Sequence, residues 1–326
     1  MTSPRLTELT TAGGCARKLP VHLLQAVLPS PLSAAPWADA VVTRVGLTSI
    51  AASVDFGTPI VDDATQWGAI AAAHALSDLY AVGARPSFAL AVMGWPRSLP
   101  TAFATAALES AAAAFAVEEA ILAGGHTIVA DEPFLGFAVT GHAPEQPFTT
   151  AGARPGDVLV LTKPLGTGPL LAASRLGLAS LSMIAVDQMT RTNAAASRVA
   201  LRAGLTGATD VSGYGLVGAA YALADASQVH VTIEAAAVPL LPGALDAVAA
   251  GAVPPLAEET LLLWAEPAGV DLAAVDLGIR MILCAPETSG GLLLAVPAAE
   301  ATEVSSSSNG VVIGTVHAGP LGVSAG

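Results

Sequence analysis

Four aspartates and one short basic stretch have the residue types and spacing to do chemistry. Asp55 ends a run rich in small and β-branched residues, Leu47 to Phe56, which Gly57 and Pro59 break. Asp78 sits among alanines in a helix that Trp67, Ile70, Leu76 and Leu79 predict, with Thr65 as its cap and Gly83 as its stop. An Asp in mid-helix is locally disfavoured, because its side chain competes with the backbone for hydrogen bonds. The two could share one hard cation; the plain alternative is an ordinary helix with one solvated Asp. Asp39 falls at a loop-to-strand junction, and Asp210 lies in a loop before a glycine-opened helix. Mg²⁺ takes one or a few carboxylates plus phosphate oxygens, so such a set suits nucleotide phosphate chemistry. Cys15 and Lys18 lie three residues apart in TAGGCARKLP at 11–20. A cysteine beside Arg17 and Lys18 can have a depressed pKa, and the lysine could offset charge on a transferring phosphoryl group. This segment is either a mobile arm that closes over a substrate or a flexible tail with an incidental thiol.

Composition narrows the field. The chain has 326 residues, enough for two domains, and is 53% hydrophobic and 12% charged. Small aliphatic residues rather than aromatics fill the expected core. A net charge of -13 argues against a nucleic-acid partner, which would require a basic stripe. It also means that an anionic substrate needs a metal or a local cationic patch. Only Lys18 and Lys163 are lysines, and both lie in Gly/Pro-marked stretches rather than on helix faces. No apolar run is long enough to predict a transmembrane helix, and the N-terminal stretch does not read as a secretory signal. Cys15 and Cys284 form neither a disulfide framework nor a CxxC pair, so a cytoplasmic location with reduced thiols is expected.

The elements that must position these residues alternate irregularly, which predicts an α+β fold in two domains, 1–150 and 151–326, with the arm at 1–20. The boundary falls in the Pro-, Gly- and Thr-rich stretch 142–157. In the first half, a short helix is expected from Leu19 to Leu28, then a Pro-rich loop and a strand opening at Trp37. A strand from Ser87 to Trp95 follows, then a long helix from Thr101 to Leu122, and a strand near Phe134 to Thr140. The long helix ends in Ala123-Gly124-Gly125-His126-Thr127, which reads either as a helix C-cap or as a turn whose N–H groups approach an anion. In the second half, strands are expected at 158–161, 229–233, 292–296 and, last, 311–316. One helix is expected from Ala185 to Ala203, and a loop at 304–310. Gly213, Gly215 and Gly218 match the GxGxxG dinucleotide fingerprint, but LTGATD before them offers little for the buried strand that fingerprint needs. Thr162-Lys163-Pro164-Leu165-Gly166 is not a phosphate loop either, because the lysine precedes the glycines.

Taken together, GGCARKL at 13–19, VDFGTPIVDD at 54–63, ALSDLYAVGARP at 75–86, LAGGHT at 122–127, LTKPLGTG at 161–168, ATDVSGYGLVG at 208–218 and ETSGGLLLAV at 287–296 resemble the selenophosphate synthetase (selenide, water dikinase) family, in family order and over nearly the whole chain. The resemblance implies a two-domain fold like that of aminoimidazole-ribonucleotide synthetase. The N-terminal domains would pair into a β-barrel across a homodimer, and each C-terminal domain would be ferredoxin-like. It implies conversion of ATP, selenide and water to selenophosphate, AMP and phosphate. Cys15 and Lys18 match the catalytic Cys and Lys. Asp39, Asp55, Asp78 and Asp210 match the acids that hold Mg²⁺ and the ATP phosphates. Gly125, His126 and Thr127 match an ATP-contacting turn, and Lys18, Asp55 and Asp78 would also meet the nucleotide. The chain departs from the family pattern at Arg17, where a second Cys is frequent, and at His74, where Asn is usual. Ala38, Ala285 and Val129 replace common Asp positions. His74 is one turn before Asp78 on the same helix face, so it bears on the metal site. The alternatives are a related ATP-dependent enzyme acting on another small substrate and a non-catalytic nucleotide-binding relative.

Overall fold

Strand alternation and two alanine-rich helices build the first layer pair. The computed structural model describes residues 5–10, 13–19, 23, 24, 26, 38–265 and 269–326. The helix expected at 19–28 and the Pro-rich loop after it lie largely outside these residues, as does Trp37. Strands β1 (Val41–Val45), β2 (Thr48–Gly57), β3 (Arg85–Trp95), β4 (Ile121–Val129) and β5 (Phe134–His142) form a five-stranded sheet in the order β1-β2-β5-β3-β4. Helices α1 (Ala64–Ala81) and α2 (Thr101–Val117) cover one face. Successive side chains of a strand point to opposite faces. Ala51, Ser53 and Asp55 of β2 therefore face the helices, while Val54 and Phe56 point the other way and are exposed. The core between layers is closed by Phe115 edge-on to Phe137, with ring centroids 4.9 Å apart, and by Trp67 stacked on Trp95 at 6.4 Å. Both Phe side chains are fully buried, each worth about 1.5–3 kcal/mol relative to exposure.

The second half forms a seven-stranded mixed sheet in the order β7-β10-β6-β11-β8-β12-β9. Its strands are β6 (Asp157–Leu161), β7 (Gly207–Asp210), β8 (His230–Ile233), β9 (Val270–Asp271), β10 (Leu292–Pro297), β11 (Val311–His317) and β12 (Gly322–Ala325). Helices α3 (Thr167–Arg175), α4 (Met183–Thr190), α5 (Ala194–Arg202), α6 (Gly215–Ser227), α7 (Ala244–Ala249), α8 (Pro255–Glu259), α9 (Leu277–Cys284) and α10 (Ala301–Ser308) surround it.

Several local expectations are corrected. Asp63, not Thr65, caps α1, accepting the Gln66 N–H at 3.0 Å. The helix from Thr101 stops at Val117, because Glu119 turns left-handed at φ 58° and Ile121 then pairs in parallel with Phe88. Gly124 to Thr127 consequently lie in strand β4, not in a turn or a helix cap. The helix expected at 185–203 is two helices, interrupted where Asn193 turns inward. The serine run at 305–308 is helical rather than a loop: the hydroxyls of Ser305, Ser306 and Ser308 donate to carbonyls three or four residues back, and Asn309 ends the helix left-handed. β12 follows the strand expected to be last. A buried strand, β7, does precede Gly213, contrary to the sequence reading. Among the described residues its one partner strand is antiparallel β10, beside an isolated parallel bridge from Gly207 to Thr149, and β8 lies four places away, so β7 and β8 do not form the adjacent parallel pair of a dinucleotide site.

Helices α1 and α2 approach closely at Gly68, where an added Cβ would sit 1.9 Å from the Ala107 carbonyl oxygen. Gly68→Ala gains helix propensity of about 1 kcal/mol but forces the helices apart, at a cost of about 1–3 kcal/mol or more. The expected outcome is a lower urea midpoint; an unchanged or higher midpoint would show that the two helices yield without cost.

Candidate active site

The carboxylates converge where the two sheets meet. Asp39 precedes β1, Asp78 lies on α1 and Asp210 ends β7, and one oxygen of each lies within 4.8 Å of the others. The neighbours are hydroxyls and amides. Thr209 Oγ1 donates to Asp39 Oδ1 at 2.9 Å, Ser77 Oγ to Asp210 Oδ2 at 2.8 Å, and Ser53 Oγ to Asp78 Oδ2. Asn193 Nδ2 supports Ser77 Oγ at 3.0 Å and holds the Gly290 carbonyl at 2.9 Å.

Burial and mutual repulsion dominate the electrostatics. Two unit charges about 4 Å apart repel by roughly 4 kcal/mol at the effective dielectric of protein sites. Burial, then Asp210 and Asp55, push the Asp78 carboxyl up to about 8, against the Ser53 hydroxyl and the positive charge of Lys18. Burial, Asp210 and Asp78 hold Asp39 well above the usual carboxylate range. Asp55 goes the other way. Burial works against its charge, but the His74 ring, Lys18 and the Phe56 N–H outweigh that and hold it below the usual range. His74 Nε2 lies 2.7 Å from Asp55 Oδ2. Three hard oxygen ligands crowded in this way fit a divalent cation such as Mg²⁺.

The basic stretch is docked over these acids. Residues Gly14–Arg17 form a 3₁₀ turn. The Gly14 N–H donates to the Thr58 carbonyl at 3.2 Å, the Tyr214 hydroxyl donates to the Leu19 carbonyl at 2.7 Å, and Arg17 pairs with Glu132. The stem of Lys18 crosses Gly213 so closely that a Cβ there would lie 2.2 Å from Lys18 Cδ. Gly213 thus serves the lysine rather than a dinucleotide. Cys15 belongs to this turn; its side chain lies outside the described residues. Cys284 is buried and pushed up to about 12 by that burial, which removes it as a nucleophile.

Gly125, His126 and Thr127 do not join the cluster within the chain. Asp55 pairs with Phe137, Phe137 with Ala91 and Ala91 with Gly125, so Gly125 stands in the same row as Asp55 but three strands away. That is about 14 Å at the usual strand spacing. All three residues are exposed on edge strand β4.

Sequence reasoning missed the loop that braces the acids. Residues 287–291 are buried. Glu287 accepts the N–H groups of Gly166 and Thr167 and the Thr167 hydroxyl at 2.6–3.0 Å. Burial pushes its carboxyl up to about 7, against those three hydrogen bonds. Lys163 Nζ donates to the carbonyls of Ser289 at 2.8 Å and Gln188 at 3.4 Å, and also to that of Arg191. Burial, reinforced by Arg191, brings Lys163 down to about 7. The off-helix placement of Lys163 was the signal available in the sequence; nothing there named its partners.

Domain models for "AIR synthase related protein", N-terminal and C-terminal, match residues 37–143 and 154–325 respectively. The chain therefore belongs to the AIR synthase related family. Thiamine monophosphate kinase from Aquifex aeolicus shares the fold, with a TM-score of 0.70 at 18% identity over 94% of this chain and 95% of that one. So does the hydrogenase maturation protein HypE in complex with ATP, with a TM-score of 0.66 at 18% identity over 97% and 90%. The selenide, water dikinase of Myxococcus xanthus is 37% identical over 351 aligned positions, covering 98% of this chain and 96% of that protein. That of Photorhabdus laumondii is 37% identical over 310, covering 90% and 88%. Within the wider family, the chain belongs with the selenide, water dikinases.

The raised Asp78 carboxyl gives a signed pH test. A carboxyl whose folded pKa exceeds its unfolded value of about 3.9 adds stability that is full below that value and is lost as pH rises through about 8. Without divalent cations, the Tm of the native protein should fall relative to that of Asp78→Asn between about pH 5.5 and about pH 8.5. Mg²⁺ should recover the native protein more at the higher pH. Parallel Tm profiles for the two proteins, unmoved by Mg²⁺, would contradict this.

Proposed function

We propose that this protein makes selenophosphate from ATP, selenide and water, releasing AMP and phosphate, in the cytoplasm. The observation that carries the reading is the crowding of Asp39, Asp78 and Asp210 beneath the docked Lys18 stretch. In an acidic chain this is a cation-dependent anion site with one positive charge above it. Asp39, Asp55, Asp78 and Asp210 would hold Mg²⁺, which when bound neutralises polyphosphate oxygens and polarises the phosphorus under attack. Lys18 would lie against the γ-phosphoryl group and offset the negative charge that grows there. The turn carrying Cys15 would exclude bulk water, and its thiolate, beside Arg17 and Lys18, would hold the soft selenide anion. Gly125, His126 and Thr127 would meet the nucleoside side of ATP, while Asp55 at the other end of the row, with the three clustered acids, would take the phosphates through Mg²⁺. We also assign residues 1–150 to a nucleotide and dimerisation domain and 151–326 to the second α+β domain.

The first sheet supports a homodimer. Its uncovered face exposes Val54, Phe56, Phe88 and Leu90, at 58%, 59%, 36% and 41% of their surface. An apolar sheet face of this kind calls for a partner, and a second copy would close the two sheets into a barrel. Leu90→Asp with Phe88→Asp should give a monomer by light scattering; a native protein already monomeric would remove the dimer.

Activity is tested by anaerobic incubation with ATP, Mg²⁺ and selenide, read by phosphorus NMR. The expected result is a selenium-bonded phosphorus resonance together with AMP and phosphate, lost in Asp210→Asn and Lys18→Ala. ATP left intact, or cleaved only to ADP, would overturn the assignment.

A further inference from the structure

His74 joins the two halves of the molecule at Asp55. Its side chain is buried on α1. The Ser289 N–H donates to Nδ1 at 3.1 Å, and Nε2 lies 2.7 Å from Asp55 Oδ2. A ring nitrogen that accepts a backbone N–H carries no proton, so the network places the imidazole proton on Nε2, pointing at the carboxylate. Ser289 cannot swing away. It is held left-handed at φ 51°, with its carbonyl on Lys163 Nζ at 2.8 Å and the next carbonyl, that of Gly290, on Asn193 Nδ2 at 2.9 Å. The same Asn193 reaches Asp210 through Ser77. One buried loop of the second half thus sets two carboxylates: Asp210 through Asn193 and Ser77, and Asp55 through His74.

We propose that His74 is a positioning residue which, as the Nε2–H tautomer locked by Ser289, fixes the Asp55 carboxylate for Mg²⁺-dependent nucleotide binding. This rests on the assignment of the acids to Mg²⁺ and ATP. Outer partners of metal-binding carboxylates commonly control affinity by about 10- to 100-fold. Gln can bring a donor N–H to where Nε2–H stood; Ala brings none.

The test is calorimetric titration of the full chain with a non-hydrolysable ATP analogue, with and without Mg²⁺, and circular dichroism as a check of folding. His74→Ala should weaken Mg²⁺-dependent binding about tenfold or more, and His74→Gln should recover most of the loss. Binding by a folded His74→Ala protein equal to that of the native one, or no recovery in His74→Gln, would overturn the role of His74. Failure of the native protein to bind the analogue with Mg²⁺ would instead remove the site assignment beneath it. Nitrogen NMR of histidine-labelled protein gives an activity-independent reading. The Nε2–H tautomer is expected for His74, and the Nδ1–H tautomer would overturn the proposal.

Discussion

Three carboxylates held within one small volume are the constraint on which the rest of the structure depends. Left to themselves, Asp39, Asp78 and Asp210 would separate or take up protons, and the raised positions of Asp39 and Asp78 record that tension. The chain spends hydroxyl and amide donors to keep them together: Thr209, Ser77 and Ser53, with Asn193 behind Ser77. A protein does not build such a cluster for stability, because uncompensated buried charge is costly. A divalent cation shared between the oxygens would relieve that tension, which is the ground on which we propose the cluster as a site.

The fold meets this constraint by bringing four stretches to one place, the first of them the segment before β1 that carries Asp39. α1 carries Asp78 and His74, β2 presents Asp55 to the helix-covered face of its sheet, and β7 delivers Asp210. Between them lies loop 287–291, whose backbone groups are taken up by Thr167, His74, Lys163 and Asn193. Such a loop can be buried only if its polar groups are satisfied. Satisfying them locks the second half of the chain onto the first. Lys163 and Glu287, buried and shifted toward neutrality in opposite senses, are the anchors of that lock.

Much of this was legible in the sequence where local pattern decides structure. The small and β-branched run Leu47 to Phe56, stopped by Gly57 and Pro59, marks β2, and the apolar spacing from Trp67 to Leu79 marks α1. The four acids were visible because aspartates at strand ends and amid alanines have no local reason to be there. The failures have physical causes. The alanine periodicity after Thr101 runs on to Leu122, but pairing of Ile121 and Leu122 with β3 overrides it. The serines at 305–308 look like a loop, but their hydroxyls turn back onto helix carbonyls. Gly, Ala and Thr give no local signal for the buried strand β7, yet all four of its residues are buried by neighbours far along the chain. Helical spacing puts His74 on the face of Asp78 and so beside the acids, but its partners Ser289 and Asp55 lie 215 and 19 residues away, and spacing says nothing of such contacts.

The most direct measurement is a crystal grown with Mn²⁺ and a non-hydrolysable ATP analogue, with the ion located by its anomalous scattering. A peak shared by the carboxylates of Asp39, Asp78 and Asp210, with analogue phosphates on its open side, is the predicted result. Ordered nucleotide whose metal lies elsewhere, with the three carboxylates unliganded, would contradict it.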